Sequence, residues 1–464
     1  MNTEKDNRSG AICHATIVTI DASRRILRDA GLIWEQDRIV MIAASEVIHQ
    51  QAAEKGISLE DASGKFVFPG FINTHTHLYQ NLLKGLGTDT TLENWWHRVI
   101  APAGIKIRKE HVAAAAAGGA IEALRSGVTT LVDYMQVHPV VQLSDVEIET
   151  LRDIGIRLVY GRGFRDTGRE SGFPPELIED TEMVLADVLR LKRKYEEPEL
   201  MTRIWLAPAG VWALSPVGLR ETAEFSRDYN VPVMMHMFET ATDENVCRTR
   251  FNCSALECFE KSGLLNTHLL AVHCVEMGEA ELTTFRSHNI FISHNPISNM
   301  YLASGVAPVP RMRELGMNIG LGTDGAASNN CNDMLEVIKS TALLHKGFFR
   351  NPLAVTAQEV LEMATIEAAR CIGLEQEIGS LETGKKADLF ILNPARCART
   401  CPVHDPVASL VYSASSRAIE KVVINGRIVM NDGGFPVLDE IQILREEQLQ
   451  AQDLLQRAGY RGYC

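Results

Sequence analysis

Residues 68–80 read FPGFINTHTHLYQ, an apolar run that ends in His75 and His77. On a β-strand, residues two apart point to the same side, so both imidazoles would face one point in space. H-x-H is a short pattern, and two histidines ending a buried strand need no special function. The pair gains meaning only if other ligand-type residues fall where a fold can bring them to it.

The rest of the chain supplies them. Between residues 65 and 377, apolar runs of strand length alternate with longer segments of helical periodicity, the pattern of parallel βα units. There are eight such runs: FVFPGFI, GVTTLVDY, IRLVYGRGF, IWLAPAGVW, VPVMMHMF, HLLAVHC, NIFISHNP and NIGLGTDG. Segments such as HVAAAAAGGAIEALRSG, PELIEDTEMVLADVLRLKRKY and LRETAEFSRDY read as the intervening helices. Eight units suit a (β/α)8 TIM barrel, an α/β fold. Periodicity alone also allows a doubly wound sheet. In a barrel the active residues sit at the C-terminal strand ends. Polar residues cluster there: His75 and His77, Asp133 with Gln136, Trp212, His236 and Glu239, His273, His294 and Asn295, and Asp324.

A zinc-like ion takes nitrogen and oxygen ligands that converge on one point. His236 and Asp324, from later strand ends, could complete a site begun by His75 and His77. Such an ion would lower the pKa of a bound water towards ~7 and create a hydroxide nucleophile. Glu239 lies three residues beyond His236. Its carboxyl can sit beside the metal without binding it and carry a proton to or from a reacting group.

The flanks differ from the barrel. Short strands and turns recur in ATIVTI and GLIWEQDRIVMIAAS, and again in KKADLFILNP and AIEKVVINGRIVMNDGG. The expected organisation is a small β-sandwich from residues 1–64 and 378–440, a barrel over 65–377 and a helical tail over 441–464. The net charge of -13, without basic runs, argues against nucleic acid or anionic membrane as partners. No apolar stretch approaches the ~20 residues needed to span a bilayer. The N-terminus lacks the apolar core of a signal peptide, so the expected location is cytoplasmic. Ten scattered cysteines fit reduced thiols in that compartment. Cys397 and Cys401 lie close together, but no second close pair joins them to make a structural zinc site.

Together these stretches resemble the amidohydrolase superfamily, in the branch of nucleobase and aminopurine deaminases and triazine hydrolases. PGFINTHTH is similar to its first-strand motif, HMFET to its H-x-x-E motif and AVHC to its sixth-strand motif. SHNPISNMYLASGVAPV and GLGTDGAASNN match its seventh and eighth strands, and GSLETGKKADLFIL with VVINGRIV resemble its closing sandwich. The resemblance covers nearly the whole chain. It implies one divalent ion, zinc or alternatively iron, held by His75, His77, His236 and Asp324. It gives Glu239 a proton shuttle, has His273 position the nucleophile or polarise the substrate, and has Asp324 take the proton of the attacking water. A homo-oligomer is the family's expectation. Binuclear relatives carry a metal-bridging lysine on the fourth strand; IWLAPAGVW has none, which favours one metal.

The implied reaction is hydrolytic deamination of a small planar N-heterocycle, nucleobase-, pterin- or triazine-like. The alternative is a triazine hydrolase that releases chloride or an alkylamine. Gln80, Trp95, Gln136, Trp212, Asn295 and Asn299 are candidates to line the pocket, since aromatics stack on a ring and amides read its edge. Trp95 and the neighbouring Trp96 could equally be helix packing, and Asn295 and Asn299 could brace the seventh loop. Deaminases of methylthioadenosine or S-adenosylhomocysteine carry a histidine in an A-P-H-like motif. Here Ala209 follows Pro208, which disfavours a nucleoside.

Overall fold

A computed structural model describes residues 8–169 and 172–460. The ends of the expected sandwich and tail, residues 1–7 and 461–464 (with Cys464), lie outside the described residues. Eight parallel strands form the barrel wall in chain order: Phe71–Thr76, Val128–Met135, Arg157–Phe164, Thr202–Pro208, Val233–Met237, Leu269–His273, Phe291–His294 and Ile319–Leu321. The eighth strand meets the first through side chains and loop backbone. Asp324 N–H donates to the His75 carbonyl at 2.9 Å, and Thr323 N–H to Asn73 Oδ1 at 3.1 Å. This approach leaves no room for side chains. A Cβ on Gly322 would collide with Asn295 Oδ1, and one on Gly325 with Gln80 Oε1.

Helices cover the outside of the barrel. Lys109–Arg125 follows the long first loop, and Leu143–Ile154, Thr181–Tyr195 and Pro216–Tyr229 follow the second, third and fourth strands. The segment PELIEDTEMVLADVLRLKRKY, read as one helix, is divided. Pro175–Leu177 forms a 3-10 turn, and Asp180 caps a new helix by accepting the Met183 N–H at 3.1 Å. Ser215 caps Pro216–Tyr229 in the same way, with proline at the first helical position.

The run FVFPGFI is also divided. Phe66–Pro69 leaves the barrel and pairs with Leu389–Leu392 and with Gly10–Val18, whereas Phe71–Thr76 pairs with Val128–Met135. Both chain ends thus build one hydrogen-bonded sheet. Its order is Arg427–Met430, Ile419–Ile424, Leu389–Leu392, Phe66–Pro69, Gly10–Val18, Ile26–Glu35, Arg38–Ala44, with Leu59–Asp61 also pairing Gly10–Val18. Alternation serves both faces. Ile12, Ile17, Leu32 and Trp34 pack on one side, and Ala11, Cys13 and Ile33 meet Ile48 and Ala52 of the helix Ser45–Lys55 on the other.

Arg157 and Asp388 fasten this sheet to the barrel through two 3.0 Å bonds, with both side chains buried. Removing one partner of such a pair typically costs about 3–5 kcal/mol. The tail helix Glu440–Arg457 lies on Lys109–Arg125, where His111 meets Asp453 at 2.8 Å and Arg125 pairs with Glu440. Among the described residues, no helix is long and apolar enough to cross a membrane.

Candidate active site

The C-terminal strand ends bring six side chains together. His75 and His77 leave the first strand, His236 and Glu239 the fifth, His273 the sixth and Asp324 the eighth. All six are buried. Ligand atoms of His75, His77 and His236 lie within 4.8 Å of one another, as do those of His75, His273 and Asp324. Backbone at these ends is left-handed at Phe238 (φ 53°), His273 (φ 76°) and Asp324 (φ 62°). Non-glycine residues persist there only where the surroundings enforce it, a frequent condition at functional sites.

The donor set fits a metal ion. His77 Nδ1 donates to the Tyr134 carbonyl at 2.6 Å, and His236 Nδ1 to the Ala209 carbonyl at 2.7 Å. These bonds fix the tautomers, so each Nε2 presents a lone pair. The two Nε2 atoms are 3.3 Å apart. Burial and the neighbouring histidines push the His77 pKa down to about 3 and that of His236 well below the usual range. Both rings are therefore neutral at pH 7, and two facing lone pairs repel unless a cation lies between them. Asp324 Oδ1 stands 3.4 Å from Nε2 of both His75 and His77. Ligands about 2.0–2.1 Å from a tetrahedral zinc are about 3.3 Å from each other, close to these spacings. The buried His75 ring nitrogens have no hydrogen-bond partner among the described residues.

Asp324 is held as a carboxylate. Burial alone would raise its pKa, but His75 and the other histidines outweigh burial and hold it well below the usual range. Gly325 N–H donates to its Oδ1 at 2.7 Å and Ser298 Oγ to its Oδ2 at 2.5 Å. Glu239 behaves in the opposite way, since burial raises its pKa. Ser304 Oγ donates to Glu239 Oε1 at 3.1 Å, and Oε2 lies 3.6 Å from His273 Nε2. His273 Nδ1 is bonded to Asn299 Oδ1 at 2.9 Å, with Asn295 Nδ2 at 3.5 Å.

The other predicted residues divide into two groups. Gln80 and Gln136 both donate to the Tyr79 hydroxyl, at 3.3 and 2.9 Å, and the Tyr79 ring lies 6.2 Å from that of His77. Gln80 Oε1 is buried without a protein partner among the described residues. Trp212 stacks on Phe173 at 5.8 Å. Trp95, by contrast, spends its indole N–H on the Ala327 carbonyl at 3.0 Å. Asn295 and Asn299 turn towards His273, and His294 faces His345 at 3.1 Å. Asp133 accepts the Leu78 N–H at 2.7 Å and so holds the residue after His77, with burial pushing its pKa up.

Sequence reasoning missed Arg165, at the end of the third strand. It is fully buried, and its guanidinium stacks over Trp96 at 4.2 Å and Phe173 at 4.9 Å. None of its guanidinium nitrogens has a hydrogen-bond partner among the described residues. Glu179, the acid beside it, is held by Arg162 at 2.6 and 3.1 Å. Ser298 and Ser304 were missed as well. They stand in SHNPISNMYLASG, and the spacing of small polar residues there gave no sign of which carboxylate each would meet.

A family model described as "Amidohydrolase family" matches residues 66–429. The 5'-deoxyadenosine deaminase of Methanopyrus kandleri is 34% identical over 431 residues, covering 93% of this chain and 96% of that protein. The 5-methylthioadenosine/S-adenosylhomocysteine deaminase of Bacillus cytotoxicus is 32% identical over 438 residues, covering 94% and 97%. Among solved structures, atrazine chlorohydrolase TrzN from Arthrobacter aurescens, complexed with zinc, superposes with a TM-score of 0.89. It is 26% identical and covers 95% of this chain and 99% of that one. An adenosine deaminase from Xanthomonas campestris with bound zinc gives a TM-score of 0.87 at 25% identity, covering 96% and 98%.

Proposed function

This chain belongs to the amidohydrolase family, and from that premise we propose that it is a metal-dependent deaminase of a planar, amino-substituted N-heterocycle. Residues 65–377 would be its catalytic unit. The observation that carries the reading is the set of donor contacts at 3.3–3.4 Å among His77, His236, His75 and Asp324, with Glu239 beside it. His75, His77, His236 and Asp324 would hold one divalent ion, zinc or alternatively iron, and His273 lies within reach of the same point. An ion there supplies Lewis acidity that makes water a competent nucleophile near neutral pH. Asp324, kept ionised, accepts a proton from the attacking water. Glu239, whose burial favours the protonated carboxyl, carries a proton to a ring nitrogen and then to the departing amine. His273, oriented by Asn299, steadies the oxygen entering at the ring carbon. The C–O bond forms, the C–N bond breaks, and ammonia leaves behind a ring carbonyl. The barrel's fourth strand, Thr202–Pro208, carries no lysine to bridge a second metal.

Removing the metal should destabilise the fold, because ligand binding to the native state alone raises its stability. A site filled to about 1,000 times its Kd contributes about 4 kcal/mol, which for a chain of 464 residues shifts Tm by about 4 °C. Chelation followed by calorimetry should show that fall, reversed by zinc. An unchanged Tm, with metal analysis finding well under one ion per chain beforehand, would remove the metal from the proposal.

The substrate is tested by a panel of adenosine-type nucleosides, aminopurines, aminopyrimidines, pterins and chloro- or alkylamino-triazines, with separate assays for ammonia, amine and chloride. The similarity to deaminases of adenosine-type nucleosides supports an aminopurine-like ring, while Ala209 supports a free base over a nucleoside. The likeness to a triazine hydrolase keeps chloride or amine release as the second reading. Arg165 would read an acceptor oxygen on the substrate. Its Arg165→Met variant should keep the metal and raise KM about 10–100-fold, the range for one hydrogen bond to a charged group. An unaltered KM would restrict Arg165 to packing on its aromatic neighbours.

A further inference from the structure

A buried guanidinium at the barrel mouth lacks a counter-charge. Arg165 is 0% exposed, and its Nε, Nη1 and Nη2 have no hydrogen-bond partner among the described residues. The carboxylates beside it are committed elsewhere. Glu179, whose N–H donates to the Arg165 carbonyl at 2.8 Å, gives its carboxylate to Arg162. Asp166 accepts the Ser215 N–H at 2.7 Å, and the Ser215 and Thr181 hydroxyls at 2.6 and 3.3 Å. Trp96 and Phe173 remain. Their ring centroids are 5.5 Å apart, so they cover one side of the guanidinium and do not sandwich it. Cation–π contact offsets only part of the cost of taking a charge out of water. Burial lowers the Arg165 pKa to about 10, which still leaves it charged at neutral pH.

Backbone bonds place this cation beside the reaction centre. The Phe164 carbonyl, in the peptide that leads into Arg165, accepts the Ala209 N–H at 3.0 Å. The Ala209 carbonyl in turn accepts from His236 Nδ1 at 2.7 Å. Arg165 therefore starts two hydrogen bonds from a candidate metal ligand. Its aromatic cover also runs on into the predicted pocket wall, since Phe173 stacks on Trp212 at 5.8 Å.

We propose that the site takes its heterocycle as an anion, with Arg165 paired to the negatively charged edge of the substrate. The inference rests on the deaminase reading for the position of the ring and adds the substrate's charge to it. Two chemical groups can supply that charge: a carboxylate attached to the ring, or a ring lactam that has lost its N–H proton. Both present two acceptor atoms side by side in one plane, O–C–O or O–C–N. A guanidinium meets such an edge with two parallel N–H bonds. A neutral ring would leave the charge of Arg165 unbalanced and most of its five N–H donors unused.

The test is calorimetric binding to the full-length, metal-loaded protein at neutral pH, with probes in matched pairs. Orotate against its amide tests a carboxylate, and urate against hypoxanthine tests an ionised ring. In at least one pair the anion should bind about tenfold or more tighter than its neutral partner, and that pair identifies the source of the charge. Arg165→Met should abolish the preference with its metal content unchanged, and Arg165→Lys should keep part of it. Arg165→Gln, which also removes the charge, gives the same comparison where Arg165→Met does not fold. Anions that bind no better than their neutral partners in both pairs would overturn the proposal. So would a preference that survives loss of the Arg165 charge, since the anion would then be held by the metal. Binding needs no turnover, so the two readings fail separately. An anion preference without deamination in the substrate panel sinks the deaminase reading alone. Deamination of neutral rings without an anion preference sinks this proposal alone.

Discussion

Glu239→Gln should lower turnover by about 10²–10⁴-fold while leaving the metal content of the protein unchanged. Expelling an amine from an aromatic carbon requires a proton on its nitrogen, because the unprotonated group leaves poorly. Glu239 is the acid best placed to carry that proton. Burial keeps its carboxyl above the usual pKa range, Ser304 fixes one oxygen at 3.1 Å, and the other faces His273 at 3.6 Å. Glutamine preserves length, polarity and the contact with Ser304, yet its amide cannot take up and return a proton. The measurement pairs steady-state rates on the substrate found by the panel with metal analysis of the same sample. A near wild-type rate with the metal intact would end the proton-shuttle assignment. Loss of metal would instead make Glu239 a ligand.

Much of this site could be read in the sequence because barrel topology converts position into geometry. His75, His77, His236, His273 and Asp324 each stand at or just past the end of an apolar run, and parallel strands deliver such ends to one rim. Division of FVFPGFI could not be read, since periodicity cannot separate two adjoining strands that are buried at every position but Phe66. What divides them is pairing with partners more than 50 residues away on one side and more than 300 on the other. Arg165 was hidden for a related reason. In GFRDTG an arginine among polar residues and glycines looks solvated. Its burial depends on Trp96, brought from the first loop, and on Phe173, further along its own loop. Asn299 shows the converse: an amide beside a predicted pocket can equally face the substrate or a neighbouring histidine, and here it bonds to His273.

His236→Asn should lose both metal and activity, and the two overlapping ligand groups make that variant decisive. His236 completes one group with His75 and His77, whereas His75, His273 and Asp324 make the other. If the ion sits in the first, asparagine removes an imidazole lone pair held in place by the Ala209 carbonyl. Loss of residues that merely orient ligands already costs about 10–100-fold in metal affinity, so loss of a ligand should cost at least ~100-fold. The variant should purify with little metal, and its activity should fall at least as far as that of Glu239→Gln. Its Tm should no longer respond to chelation, which separates ligand loss from general damage to the fold. Restoration of activity by millimolar zinc would agree with weakened binding. Full occupancy in His236→Asn would place the ion with His75, His273 and Asp324, and His273 would then be a ligand and no longer a group that steadies the entering oxygen.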